Sequence, residues 1–235
     1  MASGEEFRKG SEQGIFPFAL QEFGRSVEGI ALRYLPAQKE TRLLIFAAIH
    51  GEEPETTFLL SRALRKLKTS PDYVACVLTA NPDGILRGTR CNANGVDLNR
   101  NFPTANWKPE KTLSRLVLEA PRETELSTGV SPASEPETQA LIGLIQKLGV
   151  KKCVSLHAPF GLVDADCHSE LVQKMEDVFS LPWQSGVGYP TPGSFGTYAA
   201  ENGLECVTVE LPREAPEILD IRYAEPLARF LRDFS

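Results

Sequence analysis

Two histidines and two glutamates in this chain sit where a divalent cation and its water could be handled. His50-Gly51-Glu52-Glu53 follows the apolar run from Arg42 to Ile49, and His157 closes the run Lys152-Cys153-Val154-Ser155-Leu156. A third run, Glu205-Cys206-Val207-Thr208-Val209, ends in Glu210. Imidazole nitrogen and carboxylate oxygen suit Zn²⁺, and a catalytic zinc commonly keeps three protein ligands and one open position. His50, Glu53 and His157 form such a His₂Glu set. Glu52 is the weaker choice, because a two-residue spacing turns it away from His50. Glu210 is then the candidate general base, placed to take a proton from water and return it to a leaving amine. A lone strand-end histidine would more readily be a hydrogen-bonded core residue, and a lone Glu210 a surface ion-pair partner. The convergence of two of the chain's three histidines with these carboxylates favours one metal centre. His168 lies outside any strand end and is not expected to be a ligand.

Between the first ligand pair and the third lies a segment from Leu86 to Pro103 built of Asn, Gly and three arginines, Arg87, Arg90 and Arg100. A guanidinium can hold a carboxylate with two parallel bonds or stabilise an oxyanion. Irregular composition continues to about Ser134, and long irregular stretches in compact domains usually carry function.

The elements that must position these groups follow from periodicity and punctuation. Strands are expected at Ile30–Leu35, after a turn at Gly24-Arg25-Ser26-Val27-Glu28-Gly29, and at Leu43–Ile49, Tyr73–Thr79, Lys152–His157 and Glu205–Glu210. Asn81-Pro82-Asp83-Gly84 is a turn signal. A helix is expected over 54–68, with Pro54 at its first position and Leu59, Leu60, Ala63, Leu64 and Leu67 on one face. A second runs from a Ser134 cap, with Pro136 at its second position, to about Leu148. Two more are expected near 169–179 and 217–234, with a loop through Gly186–Gly196. Alternating strands and helices predict an α/β fold: a mixed, largely parallel central sheet with helices on both faces, and ligands collecting at the strands' carboxyl ends. No repeat or linker interrupts it, so 1–14 is expected to be a flexible leader and 15–235 a single catalytic domain.

The formal net charge of −6, with no basic cluster, argues against a nucleic-acid partner. No apolar stretch approaches the length of a membrane span. The five scattered cysteines contain no C-x-x-C pair and are expected to be reduced core thiols. With a polar N-terminus lacking a secretory signal, they point to the cytoplasm. Oligomeric state leaves no mark in the sequence.

Gly24-Arg25-Ser26, Gly29, His50-Gly51-Glu52-Glu53, Asn81-Pro82-Asp83-Gly84, Gly95-Val96-Asp97-Leu98-Asn99-Arg100-Asn101, Ser134-Glu135-Pro136-Glu137-Thr138, Ser155-Leu156-His157 and Thr208-Val209-Glu210 occur in this order along nearly the whole chain. Together they resemble the zinc carboxypeptidases of the carboxypeptidase A type. The resemblance implies one zinc ion per chain on His50, Glu53 and His157, with Glu210 as general base and acid. It implies that Arg90 polarises the scissile carbonyl, that Asn99 and Arg100 grip the substrate's terminal carboxylate, and that Arg87 supports them. Digestive members carry a tyrosine on a mobile loop; Tyr189 lies in a comparable Gly/Pro-rich region, but no role is assigned to it.

The runs Arg90–Pro103, Ala105-Asn106-Trp107-Lys108, His168-Ser169-Glu170-Leu171 and Thr191-Pro192-Gly193-Ser194-Phe195-Gly196 are most similar to the wall-recycling branch of that family. That branch implies hydrolysis of the γ-D-Glu–meso-diaminopimelate amide of murein tripeptide, a small anionic peptide. Local arginines would have to bind it against an acidic protein, and Asp164 and Asp166 are candidates for its ammonium, although a solvated loop pair is the better explanation of them. Two other readings stand beside this one: a carboxypeptidase for ordinary C-terminal L-residues, and a catalytically silent metal-binding domain.

Overall fold

The computed structural model describes residues 16–114 and 124–235; the leader expected over 1–14 lies outside them. In chain order the elements are β1 (Gln21–Arg25), β2 (Ala31–Leu35), β3 (Leu43–Ala47), α1 (Pro54–Leu64), β4 (Val74–Val77), α2 (Pro82–Arg87), a single 3₁₀ turn (Leu98–Arg100), β5 (Thr112–Ser114) and β6 (Thr124–Leu126). There follow α3 (Pro136–Leu148), β7 (Lys152–His157), β8 (Phe160–Asp164), α4 (Glu170–Phe179), β9 (Trp183–Gln184), α5 (Phe195–Glu201), β10 (Glu205–Pro212), α6 (Pro216–Leu219) and α7 (Glu225–Asp233).

Eight strands form one sheet in the order β1-β2-β4-β3-β7-β10-β8-β9. Its centre is parallel, β4 to β3 to β7 to β10, while β1, β2 and β8 run antiparallel to their inner neighbours. Fully apolar β3 belongs in such a centre, because helices cover both faces there. Its side chains divide by the strand's two-residue period. Leu43, Ile45 and Ala47 enter a core with α1, α4 and α7, whereas Leu44 and Phe46 enter one with α3 and α5.

Several elements depart from expectation. α1 ends at Leu64 rather than 68, and β4 is trimmed to Val74–Val77. Pro82 begins α2, so Asn81-Pro82-Asp83-Gly84 is a helix start: Asn81 Oδ1 accepts from Gly84 N at 2.9 Å. α3 begins one residue later than its serine suggested, with Glu135 at the cap and Pro136 first; the Ser134 hydroxyl donates instead to Glu135 Oε1 at 2.6 Å. β1, β8 and α5 were not expected: β1 is an exposed edge strand without apolar alternation, and α5 follows directly on a Gly/Pro-rich loop. The C-terminal helix breaks into α6, a π-helical turn at Asp220–Ala224 and α7. All five cysteines are free; Cys76, Cys91 and Cys153 are buried, Cys206 is half-buried, and Cys167 is exposed, contrary to its expected place in the core.

Candidate metal centre and amide-hydrolysing site

The parallel strands deliver the expected residues to one place. His157 is the last residue of β7, and Glu210 lies beside it in β10, in register His157↔Glu210. Glu210 does not end its strand as expected, since β10 continues to Pro212. His50 sits three residues past β3, where Ala48 takes a positive φ of 51° to turn the chain. Glu53 caps the start of α1.

The turn carrying His50 is held by backbone contact. A Cβ on Gly51 would lie 2.0 Å from the carbonyl carbon of Gly84, so only glycine fits where this turn touches the first turn of α2. Asn81 Nδ2 donates to Ile49 O at 3.2 Å, and Gly51 N donates to Arg90 O at 3.3 Å. Thus the Asn81–Gly84 motif, which carries no ligand, fixes the loop that does.

His50, Glu53 and His157 offer ligand atoms all within 4.8 Å of one another, and all three residues are buried. Glu53 Oε1 lies 2.7 Å from His50 Nδ1, and Oε2 lies 3.2 Å from His157 Nδ1. Burial opposes the Glu53 charge, but His50 and His157 outweigh it and hold this carboxyl well below the usual range. Glu53 Oε2 and His50 Nε2 make no well-formed hydrogen bond although both are buried. Two imidazoles and one carboxylate, with the Glu53 Oε2 oxygen left without a hydrogen bond and one side open to a cleft, fit a borderline divalent cation. Glu52 is turned away, toward Arg90 at 3.3 Å. His168 pairs with Glu176 on the surface at 2.6 Å and takes no part.

A residue with no expected role organises the surroundings. Asp97 is 1% exposed; its Oδ1 lies 3.3 Å from His50 Nε2 and accepts from Asn99 N at 2.9 Å, while Oδ2 accepts from Arg90 Nε at 2.8 Å. Burial disfavours its charge, but Arg90 and His50 outweigh burial and keep its carboxyl well below the ordinary value. A carboxylate behind a ligating imidazole fixes the ring's orientation and raises its basicity. The signal was present in Gly95-Val96-Asp97-Leu98-Asn99-Arg100, but only the fold brings this motif against His50.

The cleft occupies about 350 Å³ and is lined by His50, Glu53, Arg90, Asn99, Arg100, His157, Tyr189 and Glu210, among others. Arg90 is held from behind by Asp97, with Nη1 toward Glu52. Asn99 Oδ1 accepts from Phe195 N at 2.8 Å, and Arg100 Nη1 donates to Asn99 O at 2.6 Å. Phe102 anchors this loop in the core beside Phe195, with ring centroids 5.3 Å apart. A Cβ on Gly193 would meet Arg100 O at 2.4 Å, so the loop bearing Tyr189 and Thr191 packs directly on the arginine loop. Glu210 is 6% exposed and its Oε2 has no partner; burial pushes its carboxyl up, and His157 partly offsets that. Arg87 does not line the cleft. It sits in the last turn of α2, half-exposed and paired with Glu28.

The family model described as zinc carboxypeptidase matches residues 17–163. The chain is 43% identical over 228 residues to murein peptide amidase A of Escherichia coli (strain K12), covering 96% of this chain and 94% of that protein. The namesake of Vibrio campbellii is 43% identical over 205 residues, 86% of this chain and 83% of that one. The crystal structure of murein-tripeptide amidase MpaA from Escherichia coli O157 superposes with a TM-score of 0.91 at 42% identity, covering 97% of this chain and 98% of that one. Carboxypeptidase A of Helicoverpa armigera shares the fold, with a TM-score of 0.64 at 20% identity over 89% of this chain and 66% of that one. The buried His₂Glu cluster at the ends of parallel strands, the sequence match and the fold agree: this chain belongs to the zinc carboxypeptidase family.

Proposed function

We propose that this protein hydrolyses the γ-D-Glu–meso-diaminopimelate amide of murein tripeptide, in the cytoplasm, as a step in recycling cell-wall peptides. The observation that carries the reading is a single cleft holding a His₂Glu cluster, a buried carboxylate with one free oxygen and two guanidiniums. The near full-length similarity to proteins named murein peptide amidase selects the substrate. Residues 15–235 act as one catalytic unit in this reading, supported by the eight-stranded sheet that spans Gln21 to Pro212. Among the described residues no helix is long and apolar enough to cross a membrane.

His50, Glu53 and His157 hold the zinc ion. When bound, zinc lowers the pKa of water and polarises a carbonyl. Glu210 accepts the proton of the attacking water on its free Oε2 and returns it to the leaving amine. Its raised affinity for a proton suits that two-way traffic. Arg90, pinned by Asp97 yet facing the cleft, stabilises the oxyanion that develops on the scissile carbonyl. Asn99 and Arg100 receive the α-carboxylate of the leaving residue, which sets the register of the amide. Arg87, outside the cleft and paired with Glu28, ties α2 to the turn between β1 and β2 and takes no direct part in the reaction.

The test is incubation of zinc-loaded protein with L-Ala-γ-D-Glu-meso-diaminopimelate, with products followed by mass spectrometry. Free diaminopimelate and the dipeptide are expected. Cleavage of α-linked peptides with ordinary C-terminal residues, without release of diaminopimelate, would replace this reading by a general carboxypeptidase.

A further inference from the structure

The cleft carries charges of both signs. Besides the guanidiniums of Arg90 and Arg100 and the metal ligands, its lining includes two carboxylates, Asp164 and Asp166. Asp164 is the last residue of β8 and pairs across the antiparallel ladder with Thr208. Directly paired residues project to the same face, and so do residues two apart on one strand. Asp164, Thr208 and Glu210 therefore share one face of the sheet, and all three line the cleft. Thr208 and Glu210 are two residues apart, which places the Asp164 level about 7 Å along the strand from the general base. That is the reach of a side chain of three methylenes carrying a polar head.

The Asp164 carboxylate is fixed but not neutralised. Oδ1 accepts from Gly186 N at 2.7 Å, and among the described residues no lysine or arginine forms an ion pair with it. Its charged neighbour Asp166 repels it. Beside Thr208 on β7, Ser155 is 1% exposed, and its hydroxyl has no hydrogen-bond partner. A cleft-lining carboxylate without an ion-pair partner, next to a strand position that holds an unsatisfied buried hydroxyl, is complementary to a cationic group, and among the described residues no lysine or arginine pairs with it.

We infer that Asp164 is the specificity-determining residue of this enzyme, pairing with an ammonium at the end of the leaving residue's side chain while Asn99 and Arg100 hold its α-carboxylate. The inference rests on the function proposed above and gives a reason for it: the leaving residue has its α-carboxylate at one end and, three methylenes away, a carbon bearing an ammonium beside a second carboxylate, and Asp164 would select for that ammonium.

Asp164→Asn retains an oxygen for Gly186 N and removes only the charge, so it tests recognition rather than folding. Two substrates are compared, L-Ala-γ-D-Glu-meso-diaminopimelate and the same peptide ending in 2-aminopimelate, which lacks the side-chain amine. The parent is expected to favour the amine-bearing peptide by about 10- to 100-fold in kcat/KM, the value of a hydrogen bond to a charged group. Asp164→Asn should abolish that preference, with the loss in kcat/KM falling on the amine-bearing peptide and not on the 2-aminopimelate peptide. Calorimetry with free meso-diaminopimelate and free 2-aminopimelate gives a second readout, and the preference should vanish there too. Equal losses on both peptides would make Asp164 a structural residue and overturn the inference, as would an undiminished preference. If the parent cleaves neither peptide but binds diaminopimelate through Asp164, the amidase reading fails while this subsite stands.

Discussion

Replacing Asp97 by asparagine perturbs the centre without touching a ligand. The carboxylate spans three partners: His50 Nε2 at 3.3 Å, Arg90 Nε at 2.8 Å and Asn99 N at 2.9 Å. Asparagine keeps an oxygen for Asn99 N but loses the charge that faces the imidazole and the guanidinium. Loss of a carboxylate behind a ligating histidine costs about 10- to 100-fold in metal affinity, or about 1.4–2.8 kcal/mol. Orphaning a buried charge outright costs about 3–5 kcal/mol. Arg90 retains Glu52 at 3.3 Å and Glu53 at 3.8 Å, so only part of that cost applies. The destabilisation of the metal-free protein should be about 2 kcal/mol. Zinc affinity is measured by competition with a chromophoric chelator, stability by urea titration, and kcat at saturating zinc. All three should fall in Asp97→Asn. An unchanged zinc affinity together with an unchanged kcat would refute the assignment of Asp97 as the group that orients His50 and Arg90.

The other expectations concern the arginines and the loop contact. Arg90→Ala should lower kcat by about 10²–10³ if its guanidinium meets the developing oxyanion. Arg87→Ala, outside the cleft and half-exposed, should stay within about 0.5 kcal/mol of the parent in stability and leave kcat/KM nearly unchanged; equal losses in the two variants would contradict the geometry. Gly51→Ala forces a methyl to within 2.0 Å of Gly84 backbone, so a loss of more than about 2 kcal/mol in a urea titration is expected, with zinc affinity reduced as well. A fully stable Gly51→Ala protein would show that this turn and the start of α2 can part without cost.

Much of this site was legible before the fold, because its chemistry is concentrated at strand exits. The apolar runs ending at Ile49 and Leu156 announce buried parallel strands, and a histidine just beyond each is the next step. The metal set, Glu210 and the cleft-lining arginines Arg90 and Arg100 followed from that pattern and from the family resemblance. What was not legible depends on contacts far apart in sequence. Asp97 becomes a partner of His50 only when the arginine loop folds back on β3. The Gly51–Gly84 contact joins two motifs that each look like an isolated turn. Arg87 resembles Arg90 in sequence, yet it lies on α2 facing Glu28 while Arg90 comes after the left-handed Gly88 that ends that helix. The edge strand β1 and its counterpart near the other edge, β8, are exposed or half-buried over most of their length, so no alternation marked them.

The central claim is that the His₂Glu cluster carries a zinc ion while a separate carboxylate moves the proton. Glu210→Gln tests it most directly, because the amide preserves shape and only the proton acceptor is lost. Zinc content by elemental analysis should remain one per chain, and kcat on the tripeptide should fall by about 10²–10⁴. A Glu210→Gln protein that binds zinc and turns over at the parent rate would contradict the account.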